Sequence, residues 1–139
     1  MRVFIDANIL IATLNKEYPL FPWSSRLLSL HGKNNITLFT SPFCLAIAYY
    51  FSSKKSGEKL AKKKIEILCQ NIHITTINEN MTNKAVYNPM IKDFEDGLEY
   101  YSAIDIGCDF IVTENQTDFY FSEIEISGCK DFLLKFTNR

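Results

Sequence analysis

Long apolar runs are missing from this 139-residue sequence. No stretch reaches the roughly 18–20 apolar residues that a membrane-spanning helix needs. The opening residues meet a carboxylate at Asp6 after Val3, Phe4 and Ile5, so no signal-peptide core is expected. Histidine is scarce (His31 and His73), and Cys44, Cys69, Cys108 and Cys129 form no C-x-x-C pair. The usual zinc spacings and a disulfide framework are thereby set aside, and reduced thiols in a cytoplasmic protein are the expectation. Neither sign of charge is in excess, since 15 Lys and Arg face 16 Asp and Glu for a net charge of −1. A protein that coats nucleic acid through bulk positive charge is excluded, but one that touches it through a local patch is not. Repeats, low-complexity segments and linkers are also lacking.

What is present is enough apolar material for a core: 47% of residues are hydrophobic and 14% aromatic, which excludes intrinsic disorder. A chain of this length buries about two-thirds of its unfolded surface, and one domain spanning residues 1–139 is expected. Val3-Phe4-Ile5 reads as a buried strand that stops at the polar turn Asp6-Ala7-Asn8, with a helix beginning near Ile9. Pro22 suits the first turn of a helix carrying Leu27, Leu28 and Leu30, and Ile36 to Thr40 is a second strand. Ser41-Pro42 is an N-cap with proline at the first helical position, opening an apolar helix that a polar break over Ser52 to Gly57 should end. A cationic helix with Ala61, Ile65 and Leu68 on its apolar side follows. Ile72 to Ile77 alternates like a third strand, and Asn80 to Tyr87 forms a short helix. Asp93 caps a helix closed by Gly107, Asp109 to Thr113 is a fourth strand, Ile124 to Ile126 a fifth, and Lys130 to Phe136 a final helix. Strands alternating with helices predict a three-layer α/β/α sandwich around a central, mostly parallel sheet.

Ligands of such sheets bind beyond the carboxyl ends of the strands. Two strands end there in polar groups, one with Asp6 and Asn8 and one with Thr113, Asn115 and Asp118, while Asp93, Glu95, Asp96 and Glu99 open the helix before the fourth strand. Each set alone has an ordinary reading as a helix cap, a turn or a loop. Together they place several carboxylates in one pocket, where like charges repel unless a cation neutralises them. Oxygen ligands with no nearby His or Cys favour Mg²⁺ or Mn²⁺ over zinc, and the natural chemistry is phosphodiester cleavage. Asp93 to Glu125 holds ten of the sixteen acids and no Lys or Arg, an asymmetry that a solvated face does not need. In contrast, Lys54, Lys55, Lys59, Lys62, Lys63 and Lys64 are offset by Glu58 alone; they are a solvated helix face or contacts to RNA phosphates. Of the pairs Tyr49-Tyr50 and Tyr100-Tyr101, one member each is expected in the core, with base stacking open to the other. The histidines and cysteines read as packing residues.

These residues resemble the PIN-domain family. V-F-I-D-A-N-I-L is similar to its first strand and D-x-N turn, S-P-F-C-L-A-I-A-Y-Y to its following helix, and D-F-E-D-G-L-E-Y-Y-S-A-I-D-I-G-C-D-F-I-V-T-E-N-Q-T-D-F to its most recognisable block. The resemblance implies a parallel-sheet nuclease that cleaves RNA with Mg²⁺ or Mn²⁺. Many small members are VapC-type toxins of type II toxin–antitoxin systems, held inactive by a cognate antitoxin and often dimeric. By position, Asp6, Asp96 and Asp118 correspond to the metal-binding catalytic acids, with Asn8, Thr113 and Asn115 as supporting polar groups. The sequence departs from the pattern at Ile47, where many members carry Glu and some Asn, and at Ala7, where Thr or Ser is common. No carboxylate lies between Glu17 and Glu58, so Glu95, beside Asp96, is the candidate replacement. Ile47 also keeps open a second reading, a degenerate module that holds RNA or a protein partner without cutting. A phosphoacceptor signalling domain would need an acidic pair at the first strand end and a Lys after the last strand, and neither is present.

Overall fold

A computed structural model describes residues 1–137. Five strands form one parallel sheet in the order β3-β2-β1-β4-β5: β1 (Arg2–Ile5), β2 (Thr37–Thr40), β3 (His73–Ile74), β4 (Phe110–Val112) and β5 (Glu125–Ser127). Helices α1 (Ala7–Leu14), α2 (Phe21–Leu28), α3 (Pro42–Ser56), α4 (Glu58–Asn71), α5 (Glu79–Tyr87), α6 (Phe94–Asp105) and α7 (Cys129–Thr137) flank it, completing the α/β/α layers.

β1 is central because its residues can be buried on both faces: Val3, Phe4 and Ile5 are fully buried. In register, Val3 pairs Leu38 on one side and Phe110 on the other, and Phe4 pairs Phe39 and Ile111. Leu10, Leu27, Phe119, Phe132 and Leu133 close the core around these strands. The chain leaves β1 toward β2 on one side and returns through β4 on the other. In sheets of this kind, ligand sites lie at that change of direction, here the carboxyl ends of β1 and β4.

Two boundaries differ from the sequence expectation. The segment 52–57 is not a break, because α3 runs to Ser56 and ends only where Gly57 takes φ 86°. Buried Ser52 and the half-buried Ser53, whose Oγ donates to the Tyr50 carbonyl, are accommodated inside the helix. The third strand is shorter than its alternation suggested, because only His73 and Ile74 pair with β2. After one more ladder-like bond, from Thr75 N to the Thr40 carbonyl (2.8 Å), the Thr75 hydroxyl turns inward to Ser102 (3.2 Å).

Candidate metal centre

Among the helices that begin at the carboxyl edge of the sheet, α1, α3 and α6 each do so on a side-chain cap beside the acids. Asp6 ends β1 and caps α1, its Oδ1 accepting from the Ala7 N–H at 2.7 Å. Ser41 ends β2 and caps α3 by accepting from the Cys44 N–H at 3.0 Å. Asp93 caps α6 by accepting from the N–H groups of Glu95 (2.9 Å) and Asp96 (3.4 Å). Helix N-termini favour negative charge, so this edge can hold a concentration of carboxylates.

Asp6 is 7% exposed and held from several sides. Its Oδ2 accepts from Thr113 Oγ1 at 2.7 Å and from Asn8 Nδ2 at 3.3 Å. Asn8 Nδ2 also reaches Thr113 Oγ1 at 3.1 Å, and Asn8 Oδ1 accepts from the Glu114 N–H at 3.2 Å. Asn115 donates its backbone N–H to Thr113 Oγ1 at 3.0 Å, its contribution coming from the main chain. The loop after β4 then forms a 3₁₀ turn (Gln116–Phe119) anchored by buried Phe119, with Asp118 exposed at the rim. Glu114 points away, accepting from the Cys129 N–H at 3.0 Å.

Asp96, one turn into α6, is half-buried, and its pKa is pushed up from 3.8 to about 7. Burial is the largest cause, followed by the charges of Asp93, Asp118, Asp6 and Glu95. Acids from β1, α6 and the loop after β4 therefore share one electrostatic environment. Glu95 itself is exposed in the first turn of α6. Glu99, one turn after Asp96, is 3% exposed, and its carboxyl is raised well above the usual range by burial and then by Asp6. Its Oε2 finds no hydrogen-bond partner among the described residues.

α3 contributes Cys44, which is fully buried; burial first, then Glu99 and Asp6, raise its thiol well above the usual range. One ligand atom from each of Asp6, Cys44 and Glu99 lies within 4.8 Å of the others. On this helix the sequence departs from the family pattern at Ile47, and its cysteine reads as a packing residue. Ile47 packs half-buried against the core, while Cys44, three residues past the Ser41 cap, faces Asp6. The usable signal for Glu99 was its i+3 spacing from Asp96, which puts both on one helix face. No such signal marked Cys44. The donor set fits a divalent cation: mostly carboxylate oxygen, mutually repelling, with one buried oxygen left unpartnered.

The lysines belong to another region. Lys54 and Lys55 lie about 15 Å along α3 from Cys44 at 1.5 Å per residue. Lys55 donates to the Asn15 carbonyl, and Lys64 donates to the Leu14 carbonyl (2.9 Å) and to Ser56 Oγ (3.4 Å), so both tie down the end of α1. Lys54 lies over the Tyr50 ring at 4.6 Å, and Lys63 pairs with Glu66 at 4.0 Å. Lys59 and Lys62 are exposed. Tyr100 is buried and accepts from the Glu123 N–H at 3.1 Å, while half-buried Tyr101 accepts from Asn88 Nδ2 at 2.9 Å. Among the described residues, no helix is long and apolar enough to cross a membrane.

The PIN domain profile matches residues 2–117. Ribonuclease VapC1 of Aquifex aeolicus (strain VF5) is 26% identical over 135 residues, or 94% of this chain and 92% of that protein. VapBC-1 from nontypeable Haemophilus influenzae is similar in fold, with a TM-score of 0.68 at 17% identity over 94% of this chain and 99% of its own. VapC20 of Mycobacterium tuberculosis, a sarcin-ricin loop cleaving toxin, gives 0.63 at 14% identity over 78% of this chain and 86% of its own. The matched residues run from β1 into the turn that carries Asp118, and the chain belongs to the PIN domain family.

Proposed function

We propose that this chain, as one PIN domain over residues 1–139, is a Mg²⁺- or Mn²⁺-dependent endoribonuclease and the toxin component of a toxin–antitoxin pair. The observation that carries the reading is the convergence at one sheet edge of acids from three separate elements, Asp6 after β1, Asp96 in α6 and Asp118 after β4, close enough for each to act on the charge of Asp96. Such crowding is costly without a cation and useful with one. Similarity to the ribonuclease of Aquifex aeolicus supports RNA as substrate.

In this reading Asp6, Asp96 and Asp118 hold the ion, with Glu99 available from the buried side. When bound, the ion polarises a phosphoryl oxygen and lowers the pKa of a water. The protein's own part is positional. Thr113 and Asn8 fix the Asp6 carboxylate by hydrogen bonds, Asn115 N–H in turn orients Thr113, and Asp93 caps the turn that presents Asp96 and Glu95. Exposed Lys59 and Lys62, with Lys54 and Lys63, offer contacts to RNA phosphates. The protein partners proposed are a cognate antitoxin and a second copy of the chain, in the cytoplasm.

The test is cleavage of a generic RNA by the wild type and by Asp6→Asn and Asp118→Asn, with Mg²⁺, with Mn²⁺ and with chelator. Cleavage should need the ion and fall at least about a hundredfold in either variant. Equal products from wild type and variants would overturn the reading, as would RNA binding without any cutting. Co-purification with a small protein encoded beside it, and inhibition by that protein, tests the toxin role.

A further inference from the structure

The buried corner of the site, where α3 meets α6, contains sulfur as well as oxygen. Cys44 is fully buried, and Asp6, Cys44 and Glu99 each bring a ligand atom within 4.8 Å of the other two. Glu99 reaches both Asp6 and Cys44 through its carboxyl, yet these contacts do not use both of its oxygens. Glu99 is 3% exposed, reaches into the same space, and leaves Oε2 without a partner among the described residues. Buried carboxylate oxygens are rarely left so unless something else fills the position. Between Glu17 and Glu58 there is no acid, so Cys44 is what α3 presents to this space.

We propose that Asp6, Cys44 and Glu99 form a mixed sulfur–oxygen site for a thiophilic divalent cation of the Zn²⁺ and Co²⁺ class, separate from the Mg²⁺ or Mn²⁺ held toward Asp96 and Asp118. The inference rests on the proposed nuclease reading in that Asp6 is shared with its metal centre. Thiolate is a soft ligand and selects Zn²⁺ or Co²⁺, whereas Mg²⁺ requires near-octahedral oxygen and gives up its waters reluctantly. Two carboxylates and one thiolate would supply three ligands of the type and number that such a cation accepts. On binding, the Cys44 sulfur gives its proton to solvent and its lone pair to the ion.

Co²⁺ titration of the full chain tests this, because sulfur ligation gives a near-ultraviolet sulfur-to-cobalt absorption band that oxygen ligation lacks. The background is Cys69→Ser, which removes the exposed thiol. At one equivalent of Co²⁺ the band should appear, Zn²⁺ should erase it, and a large excess of Mg²⁺ should not. Adding Cys44→Ser should abolish the band and weaken Co²⁺ binding at least about tenfold. Glu99→Gln, which keeps the buried shape, should weaken binding while retaining the band. If the band is missing in the folded Cys69→Ser chain, or survives Cys44→Ser, the proposal fails. Displacement by Mg²⁺ as readily as by Zn²⁺ also overturns it. Mg²⁺-dependent RNA cleavage by the wild type is read separately. Cutting without a Cys44-dependent band sinks this inference alone, and the band without cutting supports it while overturning the nuclease reading.

Discussion

Thr113 donates its hydroxyl to Asp6 Oδ2 at 2.7 Å, joining residues 107 positions apart at the ends of two adjacent strands. Thr113 Oγ1 in turn accepts from Asn8 Nδ2 (3.1 Å) and from the Asn115 N–H (3.0 Å), so one buried hydroxyl serves three groups. Thr113→Val keeps the shape but strands those partners. It should cost about 1–3 kcal/mol in urea unfolding and reduce RNA cleavage at least about tenfold. Thr113→Ser should recover most of both. A valine variant as stable and active as wild type would show that Asp6 needs no such anchor.

Stability should fall as pH rises, on account of Asp96. Its carboxyl titrates near 3.8 when exposed and at about 7 in the fold. Between those values the folded state binds more protons than the unfolded one, so the folded state loses ground on the way up. Glu99 acts in the same direction. The metal-free chain is expected to unfold at a higher urea concentration at about pH 5 than at about pH 8, with Asp96→Asn flattening part of the slope. Saturating Mn²⁺ should reduce the loss by favouring the ionised carboxylates. Identical slopes for wild type and Asp96→Asn would mean that Asp96 ionises as an exposed acid.

Parallel-sheet logic reached Asp6 and Thr113 from sequence, because a buried run ending in polar residues announces a strand's carboxyl end. Asp93 announced the start of α6 and with it Asp96, through the ordinary chemistry of an N-cap. Cys44 was hidden for the opposite reason. Its partners Asp6 and Glu99 are distant in sequence, and an isolated cysteine in an apolar helix looks like filling. The end of α3 was misplaced because serines and lysines read as a break, although Ser52 is buried and Lys55 reaches across to the end of α1. Tertiary bonds of that kind leave no local mark.

Those bonds also divide the lysines by role. Lys64 serves the Leu14 carbonyl, so Lys64→Met should lower stability by about 1 kcal/mol and leave the salt dependence of RNA binding unchanged. Lys59 and Lys62 are exposed and make no hydrogen bond or ion pair among the described residues. Replacing either with Gln should leave stability alone and reduce the salt slope of RNA binding by about one unit each if it meets a phosphate. An unchanged slope in the double variant would remove this face from the RNA path.

Gly97, beside Asp96, sets how closely α5 approaches α6. A Cβ there would lie 3.0 Å from Ala85 Cβ, 3.1 Å from Ile91 Cγ2 and 3.4 Å from the Ala85 Cα. Ile91 can rotate away, but Ala85 is 3% exposed and its Cβ moves only with the helix. Gly97→Ala gains about 0.8–1 kcal/mol of helix propensity, against an overpacking cost of about 1–3 kcal/mol. A net loss of about 1 kcal/mol is therefore expected in urea unfolding. Because α5 must shift beside the turn that carries Asp96, RNA cleavage should fall as well. Gly97→Ala combined with Ala85→Gly, which moves the methyl to the facing helix, should recover part of the activity. A stabilised Gly97→Ala would show that α5 yields freely and that the close approach is not what seats Asp96.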